Sequence, residues 1–157
     1  MSLDGLLLEK LARWRPDGRQ VLDVNDPDSQ WALAVTADAA DIVGCRLWEL
    51  TLRRTGNAPL NTDLKKRAEA VAARVTGLME PLRVIEVDEP RGVALVRSAS
   101  PTVRGEIVSY YELLLNADQS ITMRRFEGPH GEEKRRLQIA FALTGDSLAK
   151  LVSDLTA

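Results

Sequence analysis

Residues 21–35 read VLDVNDPDSQWALAV, and residues 84–96 read VIEVDEPRGVALV. Each is a β-hairpin in outline, with apolar and polar residues alternating on both sides of a turn rich in Asp, Asn, Pro or Gly. With a two-residue gap in the turn, the apolar positions correspond, as do the acidic third position (Asp23, Glu86) and the turn proline (Pro27, Pro90). The agreement extends outward. A helical segment ending in proline precedes each hairpin (Pro16, Pro81) and a longer strand follows each, where WELTL at 48–52 echoes YELLL at 111–115. The order helix, hairpin, long strand therefore occurs twice, which predicts an internal duplication.

Three segments carry helical periodicity. Leu3, Leu7, Leu11 and Trp14 share one face of the first, with Ser2 placed to cap it and Pro16 and Gly18 to end it. Leu64, Ala68, Val71, Val75 and Leu78 mark a second helix over 61–79, with Asn61 or Thr62 as cap and Pro81 as its stop. Leu148, Leu151, Val152 and Leu155 mark a third, with Asp146 near its N-terminal amides. The remaining chain alternates at period two, with strands expected near 19–24, 30–36, 42–53, 82–87, 92–98, 104–115, 120–127 and 134–143.

These readings predict one α+β domain over residues 1–157, mainly antiparallel, with helices covering its sheet. The order is αβββ–αβββββ–α. Repeat 1 spans about 1–55, repeat 2 about 60–116, and a terminal hairpin and helix about 117–157. A single αβββ unit is too small to bury a core, so the two must join or stack, with pseudo-twofold character and a cleft between them.

Composition narrows the function classes. Hydrophobic residues are 45%, charged residues 28% and aromatics 4%, so the core rests on Leu, Val, Ile and Ala. A formal net charge of −2 offers no global attraction to nucleic acid or an anionic membrane. The apolar run Leu6–Leu8 is too short for a signal-peptide core, and no run approaches the ~20 residues of a membrane span. A cytoplasmic protein is expected.

Motifs for chemistry are sparse. DVNDPDSQ at 23–30 lacks the glycine and glutamate of an EF-hand loop, and its Asn, Asp and Pro read as a turn. One cysteine (Cys45) and one histidine (His130) do not make a zinc site, and His130 has no nucleophile in sequence context. No Gly-rich phosphate loop is present. No metal or cofactor is expected. Glu49 and Glu112 occupy matching places on the two long strands, and alternation turns both outward. The bland reading is two solvated carboxylates; the sharper one is a paired acid/base site in the cleft.

The densest charge lies in MRRFEGPHGEEKRR at 123–136, with five basic side chains and three carboxylates. It reads as the last hairpin's loop. Leu137, Ile139, Phe141 and Leu143 face inward, Lys134 and Arg136 outward beside Arg124, and Arg125 inward at the sheet's end unless a bulge gives that place to Phe126. Arg124, Arg125, Lys134, Arg135 and Arg136, together with Glu49 and Glu112, are the candidate binding residues. Glu127, Glu132 and Glu133 balance most of the charge.

The order of elements is similar to that of small bacterial secretion-chaperone-like domains, with a departure in the extra strand pair before the last helix. That resemblance implies polypeptide binding and frequent dimerisation. The expected function is thus a non-catalytic protein-binding or assembly module, with a protein partner or self-association. The alternative is a small-ligand binder or enzyme using the inter-repeat cleft. Nucleic-acid binding through the basic hairpin is disfavoured by the acidic balance and scarce aromatics.

Overall fold

The computed structural model describes residues 1–56 and 63–157. The first unit comprises α1 (Leu3–Leu11), β1 (Gln20–Asp26), β2 (Trp31–Ala40) and β3 (Gly44–Arg54). The second comprises α2 (Leu64–Arg74), β4 (Leu82–Asp88), β5 (Val93–Ser98), β6 (Thr102–Arg104) and β7 (Ile107–Asn116). β8 (Ile121–Pro129), β9 (Leu137–Ile139), β10 (Phe141–Thr144) and α3 (Gly145–Leu155) follow. The fold is α+β, with one antiparallel sheet of ten strands among the described residues.

Its main path runs β1-β2-β3-β8-β7-β5-β4. The two echoing hairpins form opposite ends of this sheet. Their turns end alike: Gln30 (φ 63°) and Gly92 (φ 67°) are left-handed, each just before the returning strand. β8 lies between the long strands and is antiparallel to both, so β3 and β7 run in the same direction. The cleft expected between the units is therefore filled by a strand, and β8 is the sheet's centre rather than an appendage.

All three helices lie on one face. α1 packs on β1 and α3, while α2 packs on β4, β5, β7 and α3. Beneath them, Leu33, Val35, Leu50, Leu52, Leu113, Leu115, Ile121 and Met123 form the sheet side of the core. Among the described residues the other face carries no α-helix.

Several elements differ from expectation for local reasons. α2 ends at Arg74, because the β-branched pair Val75-Thr76 and Gly77 do not sustain it. Val75 and Leu78 are nevertheless buried, contributed by extended chain. Asp63 caps the helix by accepting from the Lys65 amide; the expected caps Asn61 and Thr62 lie outside the described residues. α1 likewise stops at Leu11, and Trp14 packs on the core from the loop that follows.

On β3, Thr36 pairs with Glu49 but Ala37 pairs with Leu47, so Trp48 is the extra residue of a β-bulge. Leu47 and Leu50 are both fully buried, while Trp48 between them is only half-buried. The expected strand 104–115 turns at Gly105 into β6 and β7.

The expected strand 134–143 also breaks in two. β3 and β8 pair only over Leu50–Leu52, then diverge; β9 follows β8 while β10 follows β3. Gln138 Nε2 donates to the Trp48 carbonyl across this fork at 2.6 Å, satisfying a group the bulge leaves without a ladder partner. Leu137, expected inward, is 68% exposed, whereas Phe141 beyond the break is buried.

Candidate functional site

The strand register assembles one row across the helix-free face. Val21 pairs with Thr36, Thr36 with Glu49, Arg124 with Glu112, Glu112 with Arg97, and Arg97 with Arg83. Arg124 Nε closes the row by donating to Glu49 Oε2 at 2.8 Å. Carboxylate and guanidinium thus alternate over four neighbouring strands, as cross-strand pairing favours.

Glu112 lies in the row between Arg124 and Arg97 and is only 6% exposed. Arg97 Nε donates to its Oε2 at 3.1 Å, and Arg136 donates to both its carboxylate oxygens. Arg136 also donates to the Tyr110 hydroxyl at 3.2 Å, and its guanidinium stacks 3.8 Å from the Phe126 ring. Burial works against the charge of Arg136, but its bonds to Glu112 and Tyr110 outweigh that and hold its proton more tightly than usual.

Glu112 faces outward as alternation required, yet it is not solvated. The segment after β8 folds back over this face through a 3-10 turn at Glu133–Arg135 and brings Arg136 above it. Glu133 reaches from that turn to Arg97, with Nη1 donating to Oε1 at 2.8 Å and Nη2 to Oε2 at 3.5 Å. The Arg97 guanidinium holds the Glu133 carboxyl below its usual range, even though the Glu133 side chain is 68% exposed.

Under this turn lies a cavity of about 810 Å³. Ile85, Pro101, Val108 and Tyr110 give it apolar walls; Arg83, Arg97, Lys134, Arg135 and Arg136 line it with positive charge, offset in part by Glu132 and Glu133. Among the described residues Arg83 and Lys134 make no ion pair or side-chain hydrogen bond. His130 also lines the cavity and is solvent-exposed.

The candidate residues thus divide. Glu49, Glu112, Arg124 and Arg136 share the helix-free face, and Lys134 and Arg135 ride the turn above it. Arg135 pairs with Glu132 of the same turn at 3.0 Å. Arg124 and Arg136 are not side by side. Gln138 pairs with Phe126, which places Arg136 over Gly128, so the two arginines serve different glutamates.

Arg125 points to the helix side, as expected. There it donates to Glu80 Oε2 at 2.7 Å, and its guanidinium stacks 4.2 Å from the Tyr111 ring. Thr102 Oγ1 donates to the same Glu80 oxygen at 2.8 Å. Burial pushes the Glu80 carboxyl up, but hydrogen bonds from Arg125, Ser98 and Thr102 outweigh it and leave the group below its ordinary 4.5.

Sequence reasoning missed Arg83, Arg97, Tyr110, Glu80 and the reach of Glu133. Arg97 had a signal: in VALVRS it stands on the outward parity of a strand that follows the hairpin turn just before the Glu112 strand. The turn's return over the sheet had none, because alternation gives a side chain's face and not what covers it.

Among the described residues no helix is long and apolar enough to cross a membrane. Comparison of the chain with protein-family models, curated proteins and solved structures returned no match in any of the three.

Proposed function

We propose that the protein is a non-catalytic binding module that receives a segment of another polypeptide on the helix-free face of its sheet. The observation that carries this reading is the face itself. Strands β5 and β7 present half-buried Leu95 and Leu114 beside the paired charges of Glu49, Arg124, Glu112 and Arg97. Such a surface combines apolar area with fixed hydrogen-bonding groups, as interfaces do. The occupancy of Glu112 also supports a non-catalytic role. A general base needs a lone pair free toward substrate, and both its oxygens are taken by guanidinium groups. The candidate site is correspondingly the cavity under the 3-10 turn, rather than a cleft between two halves.

The test is selection of binders from a random peptide library, followed by amide shift mapping of the selected peptides. Shifts concentrated on β5, β7 and β8 are expected. A failure to select any binder, or shifts confined to the helix side, overturns the reading.

Self-association has its own support at the other end of the sheet. Ile42 and Val43 in the β2–β3 turn are 93% and 67% exposed, and with Leu8 of α1 they line a small cavity. Contiguous apolar surface of this kind marks association sites. Sedimentation velocity tests it: Ile42→Asp converts an oligomer to monomer, and a wild-type monomer at all concentrations removes the idea.

A further inference from the structure

The pairing of Glu133 with Arg97 is unusual in its asymmetry. Arg97 is nearly buried, with its side chain 15% exposed, and it is fixed from below by Glu112. Glu133 is largely exposed and approaches from a short turn, and its carboxylate faces both terminal nitrogens of the guanidinium. A nearly buried guanidinium held by Glu112 thus meets a largely exposed carboxylate carried on a three-residue 3-10 turn. The apolar walls continue below that contact, and Arg83 and Lys134 beside it have no counter-ion among the described residues.

We infer that the cavity is a binding site for a carboxylate carried on an apolar body, and that Glu133 is its internal occupant, displaced from Arg97 when such a ligand enters. Arg97 receives the incoming carboxylate in the bidentate geometry that Glu133 now fills. Arg83 and Lys134 supply the remaining positive field, and Ile85, Pro101, Val108 and Tyr110 take the apolar body. The volume suits a ligand of small-molecule or short-side-chain size. This inference rests on the binding-module reading where the carboxylate belongs to a polypeptide, but its chemistry is the same for a free organic acid.

The experiment is calorimetric titration of the full chain with two probe pairs. One pair is phenylbutyrate and its neutral isostere phenylbutyramide; the other is acetyl-Leu-Glu-Leu-amide and its Gln counterpart. Each is titrated into wild type, Glu133→Gln and Glu132→Gln. Glu132 carries the same charge on the same turn but pairs with Arg135 instead. The expected result is binding of the acids and not the amides, about fivefold tighter in Glu133→Gln and changed less than about twofold in Glu132→Gln. Arg83→Ala, an exposed substitution, weakens the acids about threefold with no change in melting temperature.

Equal tightening in both glutamine variants overturns displacement, because it reports only the loss of a negative charge. Absence of acid binding in wild type and Glu133→Gln overturns the site itself, while the binding-module reading still stands or falls on its selected peptides. Binding of phenylbutyrate but not the peptide upholds the site and removes polypeptides as its ligands.

Discussion

Glu112 shows how much one residue's setting depends on chain distant in sequence. It sits on the helix-free face, where a carboxylate is ordinarily wet, yet Arg97 and Arg136 enclose it from opposite sides. Removing it takes the carboxylate partner from Arg136 and leaves that partly buried guanidinium beside an Arg97 held by Glu133 alone. Glu112→Ala should therefore cost about 3 kcal/mol, the range for breaking a buried pair, read from the urea midpoint at unchanged m. A loss no larger than that of Glu49→Ala, whose pair with Arg124 is about a third exposed, contradicts this account. The sequence alternation placed Glu112 on the correct face. It gave no warning of the cover, since that comes from a turn twenty-odd residues later whose fold-back has no local signature. Glu80 contributes one part of the pH dependence. Its folded pKa lies below its ordinary 4.5, so its contribution is complete above that value and is lost as pH falls through the lower folded value. The stability difference between wild type and Glu80→Gln should accordingly shrink between about pH 6 and pH 3, measured by urea unfolding at each pH. A difference that grows on acidification reverses the sign and refutes the assignment.

At the scale of elements, the apolar periodicities located each helix and nearly every strand, and the errors share one cause. Periodicity continues through a break whenever the residues beyond it are still buried. Val75 and Leu78 extend the α2 pattern although the helix has ended, and Phe141 extends the β9 pattern although the chain has crossed to another strand. The bulge at Trp48 is the origin of that crossing. It turns β3 away from β8, and the segment 137–144 fills the resulting fork. The closest approach in the fork is at Gly44, where an added Cβ would lie 2.2 Å from the Leu143 carbonyl oxygen. Backbone is on both sides, so neither partner yields without loss of ladder bonds. Gly44→Ala should destabilise by about 2 kcal/mol and raise amide exchange in Phe141–Thr144 first. A neutral effect would mean that β10 is not held against β3 as described.

For the whole molecule, the decisive feature is the order of strands, which no residue pattern encodes. Two similar hairpins and their long strands are legible from residues 21–35 and 84–96, and they suggest two halves meeting directly. The chain instead places β8 between them, and β3 and β7 touch only through it. This makes the C-terminal quarter the keystone of the sheet. Without it, β3 and β7 each lose their pairing with β8, and the helix face loses Ile121, Met123, Phe141, Leu148, Leu151, Val152 and Leu155, all buried. Burial of that many apolar side chains contributes on the order of 10 kcal/mol, comparable to the whole net stability of a domain. A fragment ending at Asn116 contains both echoing units in full, yet it should show a collapsed amide spectrum without β-sheet dispersion. Adding residues 117–157 as a separate polypeptide should restore dispersion if the two pieces associate as the sheet order requires. A dispersed spectrum from the fragment alone would mean that the two units have a direct mode of pairing, and that β8 is inserted into a sheet already stable without it.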